Sequence, residues 1–395
     1  MSRSSWRFSV GFAGFGIAAI SLGALPASAW TYKSLYGFNG GTVDGYLPLS
    51  GLVSDASGNM YGTTEYGGSG SSGTVYRITP KGKETVLYAF VNNGQDGMNP
   101  WGTLVLDKKG NLYGTTLQGG PGNCGTVFKL SPKGVESVLH AFTGGADGSY
   151  PYAGLIVDKA GNLYGAAGYG GNGGGGVCGG YGYGTIFKIA PDGSETVLYA
   201  FQGGTDGANP HGGLLADNSG NFFGTTYYGG TSNAGTVFKL DPSGNETVLH
   251  SFTGDGAYPN AGLIEDKTGN LYGTTVYGGL HDGCGAVFEI ASDGTPSILY
   301  SFTCGSDGGY PKSGVVLYKG SLYGTGYAYG DLNATCGSVF ELSLAGEETT
   351  LHDFQEEPDG CSPVGGLLVV KKSLYGTTSY GGNGTGPGTV FELKK

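Results

Sequence analysis

Short apolar runs alternate with turn-forming clusters along most of the chain, and no helical period takes over. Residues 213–252 read GLLADNSGNFFGTTYYGGTSNAGTVFKLDPSGNETVLHSF and hold four such runs: 213–217 (a), 221–226 (b), 235–240 (c) and 246–252 (d). The joints carry Asn218-Ser219-Gly220 and Asp241-Pro242-Ser243-Gly244. Asn, Asp and Ser bond their own backbone and Gly accepts left-handed angles, so each joint predicts a tight turn between antiparallel neighbours. Four short strands per unit is the composition of a propeller blade.

The unit repeats. It registers on Phe38, Phe90, Phe142, Phe201, Phe252, Phe302 and Phe354, at spacings of 52, 52, 59, 51, 50 and 52 residues. A period near fifty marks a solenoid, a propeller or an array. Closure decides between them. The seventh copy starts at Gly365 and reaches Leu393 with runs a, b and c but no d. Thr31-Tyr32-Lys33-Ser34-Leu35-Tyr36-Gly37-Phe38 aligns with the d run that ends at Phe90, so the missing strand sits at the other end of the chain. Pairing it with Val390-Phe391-Glu392-Leu393 completes seven blades and closes the ring, whereas an open solenoid would need capping repeats. The fold expected is all-β, a seven-bladed β-propeller of four antiparallel strands per blade. Its blades run about 51–90, 103–142, 154–201, 213–252, 262–302, 314–354, and 365–393 plus 31–38.

Composition agrees once the repeat is seen. The 84 Gly and 16 Pro among 395 residues would read as low complexity without a period, but here they recur at fixed turn positions. Charged residues are only 13%, which suits strands such as TVFKL and TVLYAF that are covered on both faces. Residues 1–29 read as a targeting segment, with Arg3 and Arg7, an apolar stretch and Ala27-Ser28-Ala29 as a cleavage site. An exported protein is expected: extracellular, periplasmic or at the cell surface, with 30–395 as the propeller and no membrane span. Eighteen basic and 31 acidic residues remain beyond that segment, a net charge of −13, which argues against nucleic acid as a partner. A monomer is expected.

Six cysteines in an oxidising compartment suggest disulfides, although six allow 15 connectivities. In an up-and-down blade the b–c loop and the loop from d to the next a emerge on one face. That rule pairs Cys284 with Cys304 and Cys336 with Cys361, and leaves Cys124 and Cys178 to join the b–c loops of blades 2 and 3. No Cys-x-x-Cys spacing supports a metal instead.

The units F-x-G-G-x-D-G-x-x-P, G-N-L-Y-G-T-T, Y-G-G and G-T-V-F-K-L resemble the GloVer tandem repeats of exported "choice-of-anchor" bacterial proteins, over residues 32–393. That resemblance implies an exported or surface repeat protein and no particular chemistry. This chain departs from that family's usual layout in ending on Phe391-Glu392-Leu393-Lys394-Lys395, with no sorting signal there. The phrase Asp266-Lys267-Thr268-Gly269-Asn270-Leu271-Tyr272 is also similar to NHL and gluconolactonase-type propellers, over a short stretch that turn geometry explains.

Three features share the face of the b–c and d–a loops. An aspartate stands at one place in every copy: Asp44, Asp96, Asp147, Asp206, Asp255, Asp307 and Asp359. These either form Asp-Gly turns or crown one mouth of the channel as calcium ligands. Tyr66, Tyr169, Tyr228, Tyr277 and Tyr380 open the b–c loops before Gly-Gly, with Gln118 and Tyr329 in blades 2 and 6. Such rings either pack loop on loop or offer platforms to sugars. The third feature refuses to repeat. Immediately after the recurring proline stand Leu49, Trp101, Tyr152, His211, Asn260, Lys312 and Val364, one per copy. The position is either permissive or specialised.

Catalysis needs a few different groups meeting at one point, which a sevenfold motif does not supply. Glu65, His211, Glu265 and His281 are the non-repeated candidates for it, and His140, His250 and His352 replace the d-strand tyrosine as core or edge residues. No nucleophile elbow, zinc motif or phosphate loop is present. The sequence therefore favours a binding protein for a glycan or cell-surface partner. A metal-dependent hydrolase or lactonase at the channel mouth and a purely architectural envelope protein stay open, and no cofactor beyond possible calcium is implied.

Overall fold

The computed structural model describes residues 30–173, 178, 181–280, 283–305, 307–327, 336–355, 359–382 and 386–395. Within them the chain forms seven antiparallel blade sheets ordered a-b-c-d from the axis outward, the sheet of blade 2 gaining a fifth strand, Gly97–Pro100, and a separate two-stranded pair joins Gly45–Tyr46 to Tyr66–Gly67. Blade 4 is typical: Leu215–Ala216, Phe222–Thr226, Thr236–Leu240 and Glu246–Ser251. The seventh sheet takes its outer strand from the N-terminus, with Thr31–Gly37 beside Thr389–Lys394. Tyr32 faces Leu393 and Ser34 faces Phe391, so the ring closes as the split copy predicts.

Each seam between blades holds one apolar cluster, seven in all. The register phenylalanine of one blade meets the c-strand ring of the next edge to face. Phe90 lies 5.1 Å from Phe128, Phe201 5.2 Å from Phe238, and Phe354 5.1 Å from Phe391. The closing seam repeats this, Phe38 on Tyr76 at 5.0 Å. Hence the repeated phenylalanine exists to grip the neighbouring blade, and edge-to-face pairs of this kind add about 0.5–1.5 kcal/mol each beyond burial.

Two local features differ from the expected runs. Strand a contracts to two or three residues in every blade. Its first residues converge on the axis with the chain of the neighbouring blade, and a Cβ at Gly262 would fall 2.6 Å from Gly213 O. Every c–d pair also carries a bulge, as between Val237 and Phe238, and the split blade has its own between Ser34 and Tyr36. A bulge strengthens local twist.

All three disulfides form as the loop topology requires. Cys124–Cys178, Cys284–Cys304 and Cys336–Cys361 have Cα separations of 5.1, 5.5 and 4.4 Å, within the usual range. Among the described residues the only helix is a single 3₁₀ turn, Gly204–Asp206, and none is long and apolar enough to cross a membrane.

Candidate ligand site at the central cavity

The residue before each recurring proline takes a left-handed backbone. Leu47, Asn99, Tyr150, Asn209, Tyr258, Tyr310 and Ser362 have φ between 49 and 60°. Each N–H donates to a carbonyl of the preceding blade, as Tyr258 does to Ala234 at 2.7 Å and Leu47 to Pro387 at 3.0 Å. Holding so many non-glycine residues there costs strain, so the surrounding bonds must fix it. This kink ends the d–a loop and starts strand a. The seven residues that follow the prolines all line one cavity of about 740 Å³ at the centre of the ring.

Around that cavity their chemistry is graded. Val364 and Leu49 of blades 7 and 1 are apolar, and Trp101 and Tyr152 of blades 2 and 3 are aromatic, 6.2 Å apart and edge to face. His211, Asn260 and Lys312 of blades 4 to 6 are polar and bonded in series. Asn260 donates its amide to the Lys312 carbonyl at 3.2 Å, which turns its Oδ1 toward His211 Nδ1 at 3.3 Å. His211 must then donate from Nδ1, leaving a lone pair on Nε2, which is buried and unpartnered. Burial lowers the pKa of His211 to about 4 against the opposing pull of Asn260, so the ring is neutral. Burial also pushes Lys312 below the ordinary lysine range, and its ammonium sits 3.5 Å above the Tyr327 ring.

A second non-repeating column faces the first, and the sequence reading missed it. After the b-strand Thr-Thr or its equivalent come Glu65, Leu117, Gly168, Tyr227, Val276, Tyr327 and Ser379. Tyr227 packs on His211 at 4.9 Å, and Tyr327 underlies Lys312. Gly168 has no side chain where Tyr152 lies, since a Cβ there would stand 3.0 Å from the Tyr152 ring. Counting variation at this position as well would have revealed the second column. Tyr258, a pre-proline residue, stacks on Tyr227 at 5.1 Å and extends the aromatic wall.

The loop tyrosines have a structural anchor and an exposed ring. Tyr169, Tyr228, Tyr277 and Tyr380 each bridge by backbone to the d–a loop, and Tyr66 pairs with Tyr46. Tyr66, Tyr228, Tyr277 and Tyr380 stay exposed, and Tyr277 also lines the cavity. Tyr329 lies outside the described residues.

The aspartates do not crown the mouth. Strand d is the outer edge of each blade, and the carboxylates are tied to it: Tyr88 donates to Asp96 at 2.8 Å, Tyr199 to Asp206 at 2.7 Å, and Tyr300 to Asp307 at 2.9 Å. Tyr36 does the same for Asp44. In the three blades with a histidine there, His140, His250 and His352 face Asp147, Asp255 and Asp359 at 3.5, 2.9 and 3.1 Å. Loop amides complete the turn, as Thr303 N does for Asp307. Among the described residues no three His, Cys, Asp or Glu side chains gather as a metal site.

Nor do the catalytic candidates converge. His211 opens strand a of blade 4, Glu265 is exposed at the far end of strand a in blade 5, and Glu65 belongs to blade 1. Burial raises the Glu65 carboxyl against a bond with Tyr66. His281 lies outside the described residues.

A family model of the Gloeobacter/Verrucomicrobia repeat matches residues 24–178, 177–335 and 281–395. The chain belongs to this family. No curated protein matches it in sequence. Among solved structures, this repeat protein is similar to the extracellular domain of a B. thetaiotaomicron protein described as a one component system, at 17% identity and TM-score 0.57, over 93% of this chain and 42% of that one. A second B. thetaiotaomicron extracellular domain, of a protein described as a hybrid two component system, gives 12% and 0.55, over 92% and 41%. The chain thus spans less than half the length of either. A gluconolactonase from Xanthomonas campestris gives 12% and 0.48, over 92% and 89%. At these identities the first two likenesses speak for the propeller fold alone.

Proposed function

We propose that this member of the Gloeobacter/Verrucomicrobia repeat family is an exported binding protein that takes a carbohydrate in its central cavity. The observation that carries the reading is the gathering of all seven non-repeating post-proline residues around one space. Its volume, about 740 Å³, falls in the usual range for ligand pockets. Apolar and aromatic groups on one side with amide, imidazole and ammonium on the other suit a sugar ring, which has an apolar face and a hydroxylated edge. Export, with residues 1–29 as the removed segment, accords with three disulfides, which persist in oxidising compartments.

Trp101 makes the test direct. The other described tryptophan, Trp30, packs on Tyr323 in the seam between blades 6 and 7, so a sugar-induced emission change that vanishes in Trp101→Phe reports the cavity. Titration against a broad glycan panel is expected to yield at least one ligand. Tyr152→Ala is expected to weaken it about tenfold, in line with the loss of one aromatic platform. A panel without a ligand, or one whose binding ignores both changes, removes the proposal.

A further inference from the structure

The charge inside the cavity is at odds with the charge of the chain. The sequence carries 31 acidic residues and a net charge of −11, yet among the described residues the cavity lining contains no Asp or Glu and a single basic side chain, Lys312. No described carboxylate lies within ion-pair reach of Lys312, and the ammonium rests on the face of Tyr327. Holding a half-buried ammonium with no described carboxylate beside it is costly, and the ring face offsets only part of that. Its backbone is tied through Asn260 to His211, two neutral groups that add no charge of their own. Such an arrangement fits a cation held ready for an anion that arrives with the ligand.

Resting on the carbohydrate reading above, we propose that the cavity selects a sugar bearing an anionic substituent, with the anion on Lys312 Nζ and the sugar ring against Trp101 and Tyr152. Carboxylate and sulfate ester share the chemistry, and the aromatic wall accepts either ring. The neutral sugar keeps the stacking and loses the ion contact.

The experiment titrates the purified protein with galacturonic acid, galactose 6-sulfate and galactose, each alone and as short oligomers, following Trp101 emission and heat. At least one anionic form is expected to bind about tenfold or more tighter than its neutral counterpart, the scale of a charge-assisted hydrogen bond. Which anion wins identifies the substituent. Added salt should erode that preference and leave neutral binding alone. Lys312→Met is expected to lose the preference and bind acidic and neutral sugars with equal affinity, while Lys312→Arg retains the preference and shows that the wall is intact. Equal binding of charged and neutral sugars by the wild type, or a preference that survives Lys312→Met, overturns the anionic assignment and leaves the carbohydrate reading standing. Binding of none of these sugars, with neutral glycans bound elsewhere in the broad panel, overturns it too, whereas silence across the whole panel removes both.

Discussion

One hydroxyl group is out of place in the core. Six blades put phenylalanine at the middle of strand c, from Phe128 to Phe391, and blade 1 puts Tyr76 there, fully buried, with no partner for its hydroxyl. A buried donor left unmade costs about 1–3 kcal/mol, and the ring itself packs on Phe38 as its counterparts do. Tyr76→Phe is therefore expected to stabilise the protein by about 1–2 kcal/mol in urea unfolding, the unusual sign for a core change. A destabilised variant would mean that the hydroxyl finds a bond. At this scale the sequence was half legible. The post-proline column announced Trp101, His211 and Lys312 because it fails to repeat, but Tyr227 and Tyr327 stood in a second variable column beside constant tyrosines and were lost among them. For Asp96 and its equivalents, position in the repeat fixed the turn but not the outward partner on strand d, because that partner belongs to the preceding blade.

Strands and turns were the most readable level, since their periods and turn residues are local. Contacts between elements were less so. The glycine that opens strand c looks like one more turn glycine, yet it is where the next blade docks. At Gly235, with φ of 100°, a Cβ would lie 2.5 Å from Thr226 O and 2.6 Å from Pro259 Cδ. Gly388 meets Pro48 in the same way across the closing seam. Gly235→Ala must therefore pay for a strained backbone and push a blade away, a loss of about 3 kcal/mol or more. Gly294→Ala is the control. Its φ is also positive, at 89°, but nothing lies within 4 Å of the added carbon, so only the backbone term of about 1 kcal/mol applies. Comparable losses in the two variants would show that the seam contact carries no weight.

Closure was fully legible from the split copy, but the electrostatics of the closed ring were not, because they arise only where blades meet. Strand d of several blades begins with a glutamate that faces the preceding seam. Burial, then the neighbouring aspartate, lifts Glu84 to about 7 beside Asp44 and Glu136 to about 7 beside Asp96. Burial and then Asp206 raise Glu246, and burial raises Glu195 and Glu348 as well. At the a–b turns the shift is opposite. Burial acts upward on Asp266, but bonds from Thr268, Asn270 and Tyr272 outweigh it and hold the carboxyl at about 2, and Asp55, Asp107, Asp158 and Asp217 are lowered in like manner. The signs follow from linkage. A raised glutamate favours folding below its unfolded value of 4.5 and loses that contribution as pH climbs through about 7. A lowered aspartate contributes above its unfolded value of 3.8 and loses that as pH falls toward 2. The melting temperature is thus expected to peak at about pH 4, near the two unfolded values, and to decline from there across neutrality. Glutamine mimics the protonated acid, so Glu84→Gln with Glu136→Gln should flatten the alkaline decline by several degrees and leave the acidic midpoint where it was. The same loss of two charges at exposed Glu265 and Glu347 separates this from general repulsion in an acidic chain. If that surface pair flattens the decline equally, the seams are not its source, and net charge alone sets the profile.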